Sequence, residues 1–248
     1  MIDIIDLKKS FNGKMVLDGV DLTIEQGKIT VIIGRSGEGK SVLVKHIIGL
    51  LKPDSGQILL DGQDITAMDE KELDIMRRRF GMLFQGAALF DSMTVEENVG
   101  FPIREHTDLS KDEIRDIVVK KLHRVGLVGV ENVMPADLSG GMKKRVGLAR
   151  AIAMDPEIVI FDEPTTGLDP IMADSIATLM LVTQRDLKTT YIVITHDIAL
   201  TYKIADTIAM LHEGRIIEKG DVDDIKRAEN PVLKQFVEGK AEGPIKVY

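Results

Sequence analysis

An eight-residue run suited to binding phosphate constrains this chain more than any other feature of its sequence. Residues 34–41 read Gly-Arg-Ser-Gly-Glu-Gly-Lys-Ser, which fits the pattern G-x-x-x-x-G-K-S. The glycines let the backbone curl so that its N–H groups converge, and the helix that follows directs its positive dipole end to the same place.

The residues around this run have the pattern that such a site requires. The apolar, β-branched stretch Ile29–Ile33 precedes it, and apolar residues at helical spacing follow at 42–51. The alternative is a glycine-rich turn without a ligand, which would not require this strand and helix. We therefore predict a nucleoside-triphosphate site in which Lys40 contacts the outer phosphates and the Ser41 hydroxyl binds Mg²⁺.

The composition is typical of a soluble globular protein and argues against several classes of function. Of 248 residues, 44% are hydrophobic and 29% are charged, and no apolar run approaches the length of a membrane span. The net charge of −8 argues against nucleic acid as the main partner, and we interpret the basic triplets 77–79 and 143–145 as solvated helix faces. The absence of cysteine excludes disulfides and thiol catalysis. Any role at a membrane is therefore expected to be peripheral.

Strands and helices alternate along the chain in the manner of an α/β protein. Turn sequences such as Asn12-Gly13 and Asp61-Gly62 separate the extended segments near the start, which predicts an antiparallel β patch beside a parallel core. A capping box, Ser110 to Glu113, begins a long helical pattern. We predict one domain, with an α/β core at 1–91 and 155–238, an inserted helical lobe at 92–154 and a loosely held end at 239–248.

Two adjacent carboxylates follow a second buried strand. The apolar run 158–161 leads directly into Asp162 and Glu163, at the strand end where ligands of open α/β sheets bind. An acidic strand end before a turn is common by itself, but this one accompanies a phosphate loop. We expect Asp162 to hold Mg²⁺, commonly through water, and Glu163 to orient or deprotonate an attacking water, which favours hydrolysis over nucleotide storage.

A short motif before the helical pattern that starts near residue 140 indicates the family. Ser139 is a candidate helix N-cap, and with Gly140 and Gly141 it exposes N–H groups at a positive helix end. With its place between the phosphate loop and the Asp162-Glu163 strand, the run Leu-Ser-Gly-Gly resembles the signature motif of ABC transporter ATP-binding subunits. The resemblance extends over essentially the whole chain.

Further motifs occur in the order that this family has. Gln85, after an apolar run, resembles the Q-loop glutamine, residues 167–169 resemble the D-loop, and His196 resembles the switch histidine. Phe11 stands where the family has an aromatic residue that stacks on adenine. The implied fold is a RecA-like P-loop core with an antiparallel β patch and an inserted helical subdomain.

The resemblance also implies a mechanism and a set of ligands. Two subunits would enclose two Mg-ATP molecules head to tail, with Lys40 and Ser41 from one subunit and Ser139 to Gly141 from the other. Glu163 would act on the water, while His196 and Gln85 would sense the γ-phosphate. The metal ligands would be Ser41, Gln85 and Asp162. The implied ATP contacts are Phe11, Gly34, Arg35, Ser36, Gly37, Glu38, Gly39, Lys40, Ser41, Val42, Ser139, Gly140, Gly141 and Asp169.

Finer detail resembles the ATPase of MCE-associated lipid transporters of the Mla type. Val42 follows the phosphate-loop serine, and Met142 follows the signature glycines. This resemblance implies phospholipid or a similar hydrophobic cargo, an integral-membrane permease, a periplasmic MCE subunit and, in some systems, a small STAS-domain protein. The implied location is peripheral, on the cytoplasmic face of a bacterial inner membrane.

Three features require their own expectations. Glu38 places a carboxylate in the phosphate loop, and we expect it to point away from the phosphates. Phe11 lacks the hydroxyl of the commoner tyrosine, so base selectivity should be modest. The stretch 86–94, with Phe90 and Met93, is expected to help form the groove for a permease helix, unless its apolar residues are ordinary core contacts.

Other functions fit parts of the pattern. An ABC-type ATPase that clamps or signals at a membrane without transport would have the same motifs and would lack a lipid-binding partner. A phosphate-loop kinase would have no use for the signature, the Asp-Glu pair or His196. A chromosome-maintenance ATPase would need a long coiled-coil insertion, and no sustained heptad run occurs.

Overall fold

The structure is a computed structural model and describes residues 1–246. Its strands are β1 (Ile2–Phe11), β2 (Lys14–Ile24), β3 (Ile29–Ile33), β4 (Ser55–Leu60), β5 (Gln63–Asp64), β6 (Phe80–Leu83), β7 (Ile158–Asp162), β8 (Thr190–Thr195), β9 (Thr207–His212) and β10 (Arg215–Gly220). Its α-helices are α1 (Lys40–Ile47), α2 (Glu70–Arg77), α3 (Val95–His106), α4 (Lys111–Arg124), α5 (Gly140–Ala151), α6 (Pro170–Leu187), α7 (Ile198–Ile204), α8 (Val222–Arg227) and α9 (Pro231–Glu238).

The chain packs into two compact units. The first comprises Met1–Asp74 and the described residues from Ile192 onward, and the second comprises Ile75–Tyr191. Helix α2 and strand β8 cross the boundaries between these segments.

An antiparallel sheet of four strands, in the order β2-β1-β4-β5, lies in the first unit. Ile2 in β1 pairs with Ile24 on one side and with Leu60 on the other, and all three side chains are buried. The turn Asn12-Gly13 joins β1 to β2, and both residues have the positive φ that such turns require. The antiparallel patch predicted from the sequence is confirmed.

The first unit also contains parallel strands with a mostly apolar pattern. Strand β3 pairs in parallel with β9, from Thr30 opposite Thr207 to Ile33 opposite Met210. All five residues of β3 are buried, as expected for a strand covered on both faces. Strand β10 then pairs antiparallel with β9.

In the second unit, a parallel strand pair is packed with helices. Strand β6 pairs with β7, and Leu83 lies opposite Phe161. Tyr191 packs against Phe161 with ring centroids 4.7 Å apart, and its hydroxyl donates to Thr183 Oγ1 at 3.0 Å. Burial raises the pKa of Tyr191 to about 12, so the phenol stays protonated and keeps this bond.

Helices α3, α4 and α5 pack against one another and occupy most of the predicted helical stretch 92–154. Helix α4 begins with the predicted capping box, in which Ser110 and Glu113 bond each other's backbone N–H groups. Helix α3 begins with a second box, from Thr94 to Glu97. The contact pattern groups these helices with β6, β7 and α6, and the boundaries of the lobe remain a prediction.

Hydrogen bonds from one side chain connect helix α9 to the end of the described chain. The side-chain amide of Gln235 lies 3.2 Å from the carbonyl oxygen of Lys240, and it donates to Ile245 O at 3.1 Å and accepts from Ile245 N at 2.6 Å. Ile245 is buried, and Arg35 Nη1 donates to Lys246 O at 3.2 Å. One buried amide thus satisfies backbone groups of this turn, and the expectation that the stretch 239–248 is loosely held remains a prediction. Val247 and Tyr248 lie outside the described residues.

Replacing Gln235 with Leu should release this turn. The variant keeps a side chain of similar size but leaves the backbone of Ile245 without its partners, and each buried polar group left unpaired costs about 1–3 kcal/mol. We expect trypsin to cleave after Lys240 at least about tenfold faster than in the wild type. The control is Gln26→Leu at an exposed turn position. Equal cleavage rates in the wild type and the Gln235 variant would show that the amide does not hold the turn.

Candidate functional site

The predicted phosphate loop joins β3 to α1 in the first unit. Gly34 has φ 153°, and a Cβ at this position would lie 2.4 Å from the carbonyl oxygen of Leu211. Gly39, the residue before α1, has φ 97° and would meet Val16 O at 3.0 Å. Both positions therefore require glycine, for backbone conformation and for space.

Lys40 is buried and folds back onto the loop that precedes it. Its Nζ donates to Gly34 O at 2.6 Å and to Arg35 O at 2.8 Å. The loop residues Arg35 to Gly37 and the residue Ser41 are exposed, while Glu38 and Val42 are half-buried. The loop thus presents its middle and its serine to solvent around an ammonium that is already fixed in place.

The carboxylate of Glu38 is occupied by neighbouring backbone. Its Oε2 accepts from the N–H of Glu213 at 2.6 Å, and Oε1 lies 3.4 Å from Nδ1 of His212. This side chain is directed at the turn between β9 and β10. The carboxylate therefore anchors the phosphate loop to that turn.

Phe11 ends β1, and an ionic cluster fixes the strand around it. Asp54 accepts from Lys9 Nζ at 2.8 Å and from the N–H of Ser10 at 2.6 Å, and Lys9 Nζ lies 5.6 Å from the Phe11 ring centroid. Hydrogen bonds from Lys9 and then from Ser10 lower the pKa of Asp54 to about 2, so this carboxylate stays ionised. The ring of Phe11 is 41% exposed, which leaves a face available for stacking.

His196 follows β8 directly and is exposed. The next residue, Asp197, caps α7 by accepting from Leu200 N at 3.0 Å, and its own N–H donates to Thr195 Oγ1. His196 is therefore held between a buried strand and a capped helix. The first unit thus carries Phe11, the phosphate loop and His196.

The second unit carries the two predicted carboxylates at the end of β7. Asp162 is half-buried, and Glu163 is 9% exposed. Glu163 has φ 49°, a conformation uncommon for residues other than glycine. Thr166 Oγ1 donates to Glu163 Oε2 at 3.2 Å, which fixes one carboxylate oxygen.

Gln85 lies just after β6, with an exposed side chain, and the chain beyond it has an unusual backbone. Ala87 and Ala88 have φ of 62° and 45°. Arg150 in α5 binds both of their carbonyl oxygens, at 2.6 and 2.8 Å. The conformation of this loop is thus maintained from α5.

Two helix starts in the second unit carry the remaining predicted residues. Ser139 caps α5 as predicted, accepting from Met142 N at 3.3 Å, and Ser139 and Gly140 are exposed. Gly141 is buried, and a Cβ there would lie 2.1 Å from Cε of Met172. Asp169 caps α6 by accepting from the N–H groups of residues 171 and 172, both at 3.0 Å.

Sequence reasoning missed two basic residues of α5. Lys144 is buried and donates to the carbonyl oxygens of Gln85 and Glu163, the latter at 3.2 Å. Arg145 donates to Val125 O and to Ser175 Oγ. The interpretation of residues 143–145 as a solvated face is therefore wrong for these two. Helical spacing contained the signal, because Lys144 shares a face with the buried residues Leu148 and Ala151.

Burial lowers the pKa of Lys144, and the negative charges of Glu163 and Asp162 act in the opposite direction. The lysine thus lies in a low-dielectric environment that holds two backbone carbonyls and two nearby carboxylates. Within the second unit, the carbonyl oxygens of Gln85 and Glu163 thus both accept hydrogen bonds from Nζ of Lys144.

The predicted metal ligands have the right chemistry for Mg²⁺. Ser41, Gln85 and Asp162 supply hydroxyl, amide and carboxylate oxygens, which are the hard donors that this ion takes. Among residues 1–246 there is no group of three or more His, Cys, Asp or Glu side chains placed to hold a metal. Mg²⁺ commonly takes its other oxygens from nucleotide phosphates and water, and the role of these three residues as its ligands remains a prediction.

The fold and these residues define a phosphate-loop nucleotide-binding domain of mixed α/β type. The family model for ABC transporters matches residues 17–166. The chain therefore belongs to the ABC transporter family, as its ATP-binding, ATP-hydrolysing component.

Similar proteins cover almost the whole chain. This chain is 42% identical over 244 residues to the probable ribonucleotide transport ATP-binding protein mkl of Mycobacterium tuberculosis. The alignment covers 98% of this chain and 68% of the mkl protein. It is 42% identical over 246 residues to the intermembrane phospholipid transport system ATP-binding protein MlaF of Haemophilus influenzae, covering 99% and 93%. MlaF of Escherichia coli K12 is 40% identical over 245 residues, covering 99% and 91%.

Solved structures of ATP-binding cassettes have the same fold. The cbiO1 protein of Clostridium perfringens, part of an ABC transporter complex, superposes with a TM-score of 0.85 at 33% identity, covering 96% of this chain and 94% of that one. A dimeric ATP-binding cassette bound to ADP and phosphate superposes with a TM-score of 0.82 at 30% identity, covering 90% and 99%. The predicted fold class and the predicted family are confirmed.

The position of Glu38 gives a testable expectation for nucleotide binding. Because its carboxylate is bound by Glu213 N, the change Glu38→Ser should alter the Kd for ATP by less than about threefold. Fluorescence titration with a labelled ATP analogue measures this. Glu25→Ser, in an exposed turn of the same unit, controls for the change in net charge. A tenfold gain in affinity confined to the Glu38 variant would mean that the carboxylate repels the phosphates.

Proposed function

We propose that this chain is the ATP-hydrolysing motor of a membrane transporter that moves phospholipid or a similar hydrophobic molecule. The observation that carries the proposal is the similarity to two MlaF proteins, at 40–42% identity over nearly the full length of both chains. Val42 and Met142, which set this chain apart from the commoner family pattern, support the same assignment.

A second cargo follows from the other relatives, whose name refers to ribonucleotide transport. The chain spans 68% of their length, compared with 91–93% for the MlaF proteins. The match to whole MlaF chains therefore favours lipid, and the nature of the bound cargo is one outcome of the experiment below.

In the proposed mechanism, two copies of the chain enclose two ATP molecules. Lys40 and Ser41 of one copy hold the phosphates, and the helix start at Ser139 to Gly141 of the other copy completes each site. The exposure of Ser139 and Gly140 supports this, since their N–H groups can reach a ligand outside the chain. The dimeric cassette with ADP and phosphate among the similar structures supports the same arrangement.

The second unit supplies the proposed general base of the hydrolytic step. Glu163 accepts a proton from water as the water oxygen bonds to the γ-phosphorus, and the bond to the bridging oxygen breaks to release ADP. Ser41, Gln85 and Asp162 would hold Mg²⁺, which offsets negative charge on the phosphate oxygens when bound. Phe11 stacks on adenine, and His196 and Gln85 respond to the γ-phosphate.

The proposed partners are a permease in the membrane, an MCE lipid-binding subunit and a small STAS-domain protein. Among the described residues, no helix has both the length and the apolar character needed to cross a bilayer. We place the chain at its permease, on the cytoplasmic face of the inner membrane, by its similarity to the MlaF proteins. Opening and closing of the pair of copies would drive the permease.

The stretch 86–94 is the proposed contact for a permease helix. Phe90 is 41% exposed, and its ring packs on Phe101 with centroids 4.9 Å apart. The guanidinium of Arg150 lies 5.7 Å from the same ring centroid, and Asn98 binds both backbone groups of Phe90. Phe90 is thus a rigidly held aromatic group with one accessible face, which suits an interface.

The catalytic role of Glu163 is tested with Glu163→Gln. Because the amide cannot accept the proton from water, ATP turnover in the complex purified with its membrane partners should fall at least about 100-fold. The control is Glu157→Gln, an exposed residue that pairs with Arg79 at the other end of β7. Full turnover in the Glu163 variant would show that another group activates the water.

The same purified complex tests the cargo. Mass spectrometry of extracted small molecules should find phospholipid bound with a permease and a lipid-binding subunit. Ribonucleotide in place of lipid would favour the second cargo. Partners without any transported molecule would favour an ABC-type ATPase that clamps or signals at the membrane.

Truncation of Phe90 tests the permease contact. Phe90→Ala removes the exposed ring, and an interface aromatic at a central position is typically worth about 2 kcal/mol or more. We therefore expect loss of permease from the purified complex and loss of permease-stimulated ATPase. Val128→Ala, which is 70% exposed in the same unit, should change neither. Intact assembly in the Phe90 variant would rule out the groove.

A further inference from the structure

A single buried side chain connects three sequence motifs of the second unit. Lys144 lies in α5, five residues after the Ser139 cap, and is 5% exposed. Its Nζ donates to the carbonyl oxygen of Gln85 and, at 3.2 Å, to that of Glu163. These contacts are to main-chain oxygens, so they fix the backbone from which the Gln85 and Glu163 side chains project.

One of the two residues whose backbone Lys144 holds is in an uncommon conformation, and the other is soon followed by two such residues. Glu163 has φ 49°, and two residues after Gln85 the chain passes through Ala87 and Ala88 with φ of 62° and 45°. A non-glycine residue in this region costs about 1 kcal/mol or more and persists only where surrounding contacts determine it. Lys144 supplies such a contact at Glu163, together with the N–H of Thr166, which donates to the same carbonyl oxygen at 3.3 Å.

The contacts lie along one face of α5. Gly147, one turn beyond Lys144, has no space for a side chain, since a Cβ there would lie 2.6 Å from Cδ1 of Leu83 and 3.1 Å from Cβ of Ala87. Arg150, one turn further, binds the carbonyl oxygens of Ala87 and Ala88. Residues 144, 147 and 150 therefore pack the helix tightly against the loop that contains Gln85.

We propose that Lys144 is a positioning residue for ATP hydrolysis, which holds the main chains of Gln85 and Glu163 on the helix that begins with Ser139 to Gly141. The inference deepens the proposed function and rests on the roles assigned there to Gln85 and Glu163. Because one rigid helix carries both the signature motif and Lys144, a movement of the signature motif displaces Gln85 and Glu163 with it. Lys144 thus connects the part of the chain that faces one ATP to the residues that act on the other.

Three replacements separate the functions of this side chain. Lys144→Met keeps most of the aliphatic volume and removes both the donors and the charge. Lys144→Gln keeps N–H donors without the charge, and Lys144→Arg keeps both. We expect the Met variant to lower kcat about 10- to 100-fold, since misplacement of reacting groups by about 1 Å costs this much. Its KM for ATP should stay within about threefold, because Lys144 is not among the residues that are predicted to contact ATP.

Rescue is the readout that a purely structural role would not give. The Gln and Arg variants should recover kcat to within about fivefold of the wild type, because either can donate to the two carbonyl oxygens. Steady-state ATPase of the complex with its membrane partners gives kcat and KM, and thermal unfolding checks that each variant is folded. Lys120→Met, an exposed lysine of α4 in the same unit, is the matched control and should behave as the wild type.

Each result either supports or overturns the proposal. A folded Met variant with the kcat of the wild type would overturn it. If the Met variant does not fold, a folded Gln variant with kcat reduced more than about tenfold would overturn it, because donors would then be present without effect. The Glu163→Gln variant distinguishes failure of the proposed function from failure of the positioning role. An active Glu163 variant would mean that the proposed catalytic residue is wrong. An inactive Glu163 variant together with a fully active Lys144→Met variant would mean that only the positioning role is wrong.

Discussion

A buried ammonium group requires oxygen acceptors, and each unit of this protein provides them from backbone carbonyls at the ends of parallel strands. Lys40 takes the carbonyl oxygens of Gly34 and Arg35 after β3, and Lys144 takes those of Gln85 and Glu163 after β6 and β7. Leaving such a charge without acceptors would cost several kcal/mol. The positions of both loops therefore depend on these lysines. The two differ in what surrounds them, because the loop around Lys40 exposes its middle, whereas Lys144 has two carboxylates close by.

Local sequence signals predicted the local structure well. The apolar β-branched run at Ile29–Ile33 forms the buried strand, Ser110 and Glu113 form the capping box, and Ser139 caps its helix. Each of these depends on interactions within a few residues, which a pattern can show. The group that binds the Glu38 carboxylate, the N–H of Glu213, lies 175 residues away and could not be named from the sequence.

The parts that sequence reasoning missed depend on contacts between distant segments. A lysine in a basic triplet indicates a solvated surface, yet Lys144 is buried because carbonyls 59 and 19 residues away converge on it. The role of Gln235 was missed for the same reason. A polar residue close to a polar stretch of sequence gives no sign that its side chain will bind the backbone of Ile245. In both cases, buried main-chain groups need hydrogen-bond partners, and only the folded chain shows which main-chain groups are buried. The roles of the individual site residues and the boundaries of the helical lobe remain predictions.

The anchored end of the chain also affects how the protein can be handled. Ile245 is buried under Gln235, and the carbonyl of Lys246 receives a hydrogen bond from Arg35 in the phosphate loop. A label attached near Lys246 would therefore lie beside a residue of the loop that is predicted to bind phosphate. A label placed in the exposed turn at Glu25 and Gln26 avoids these contacts.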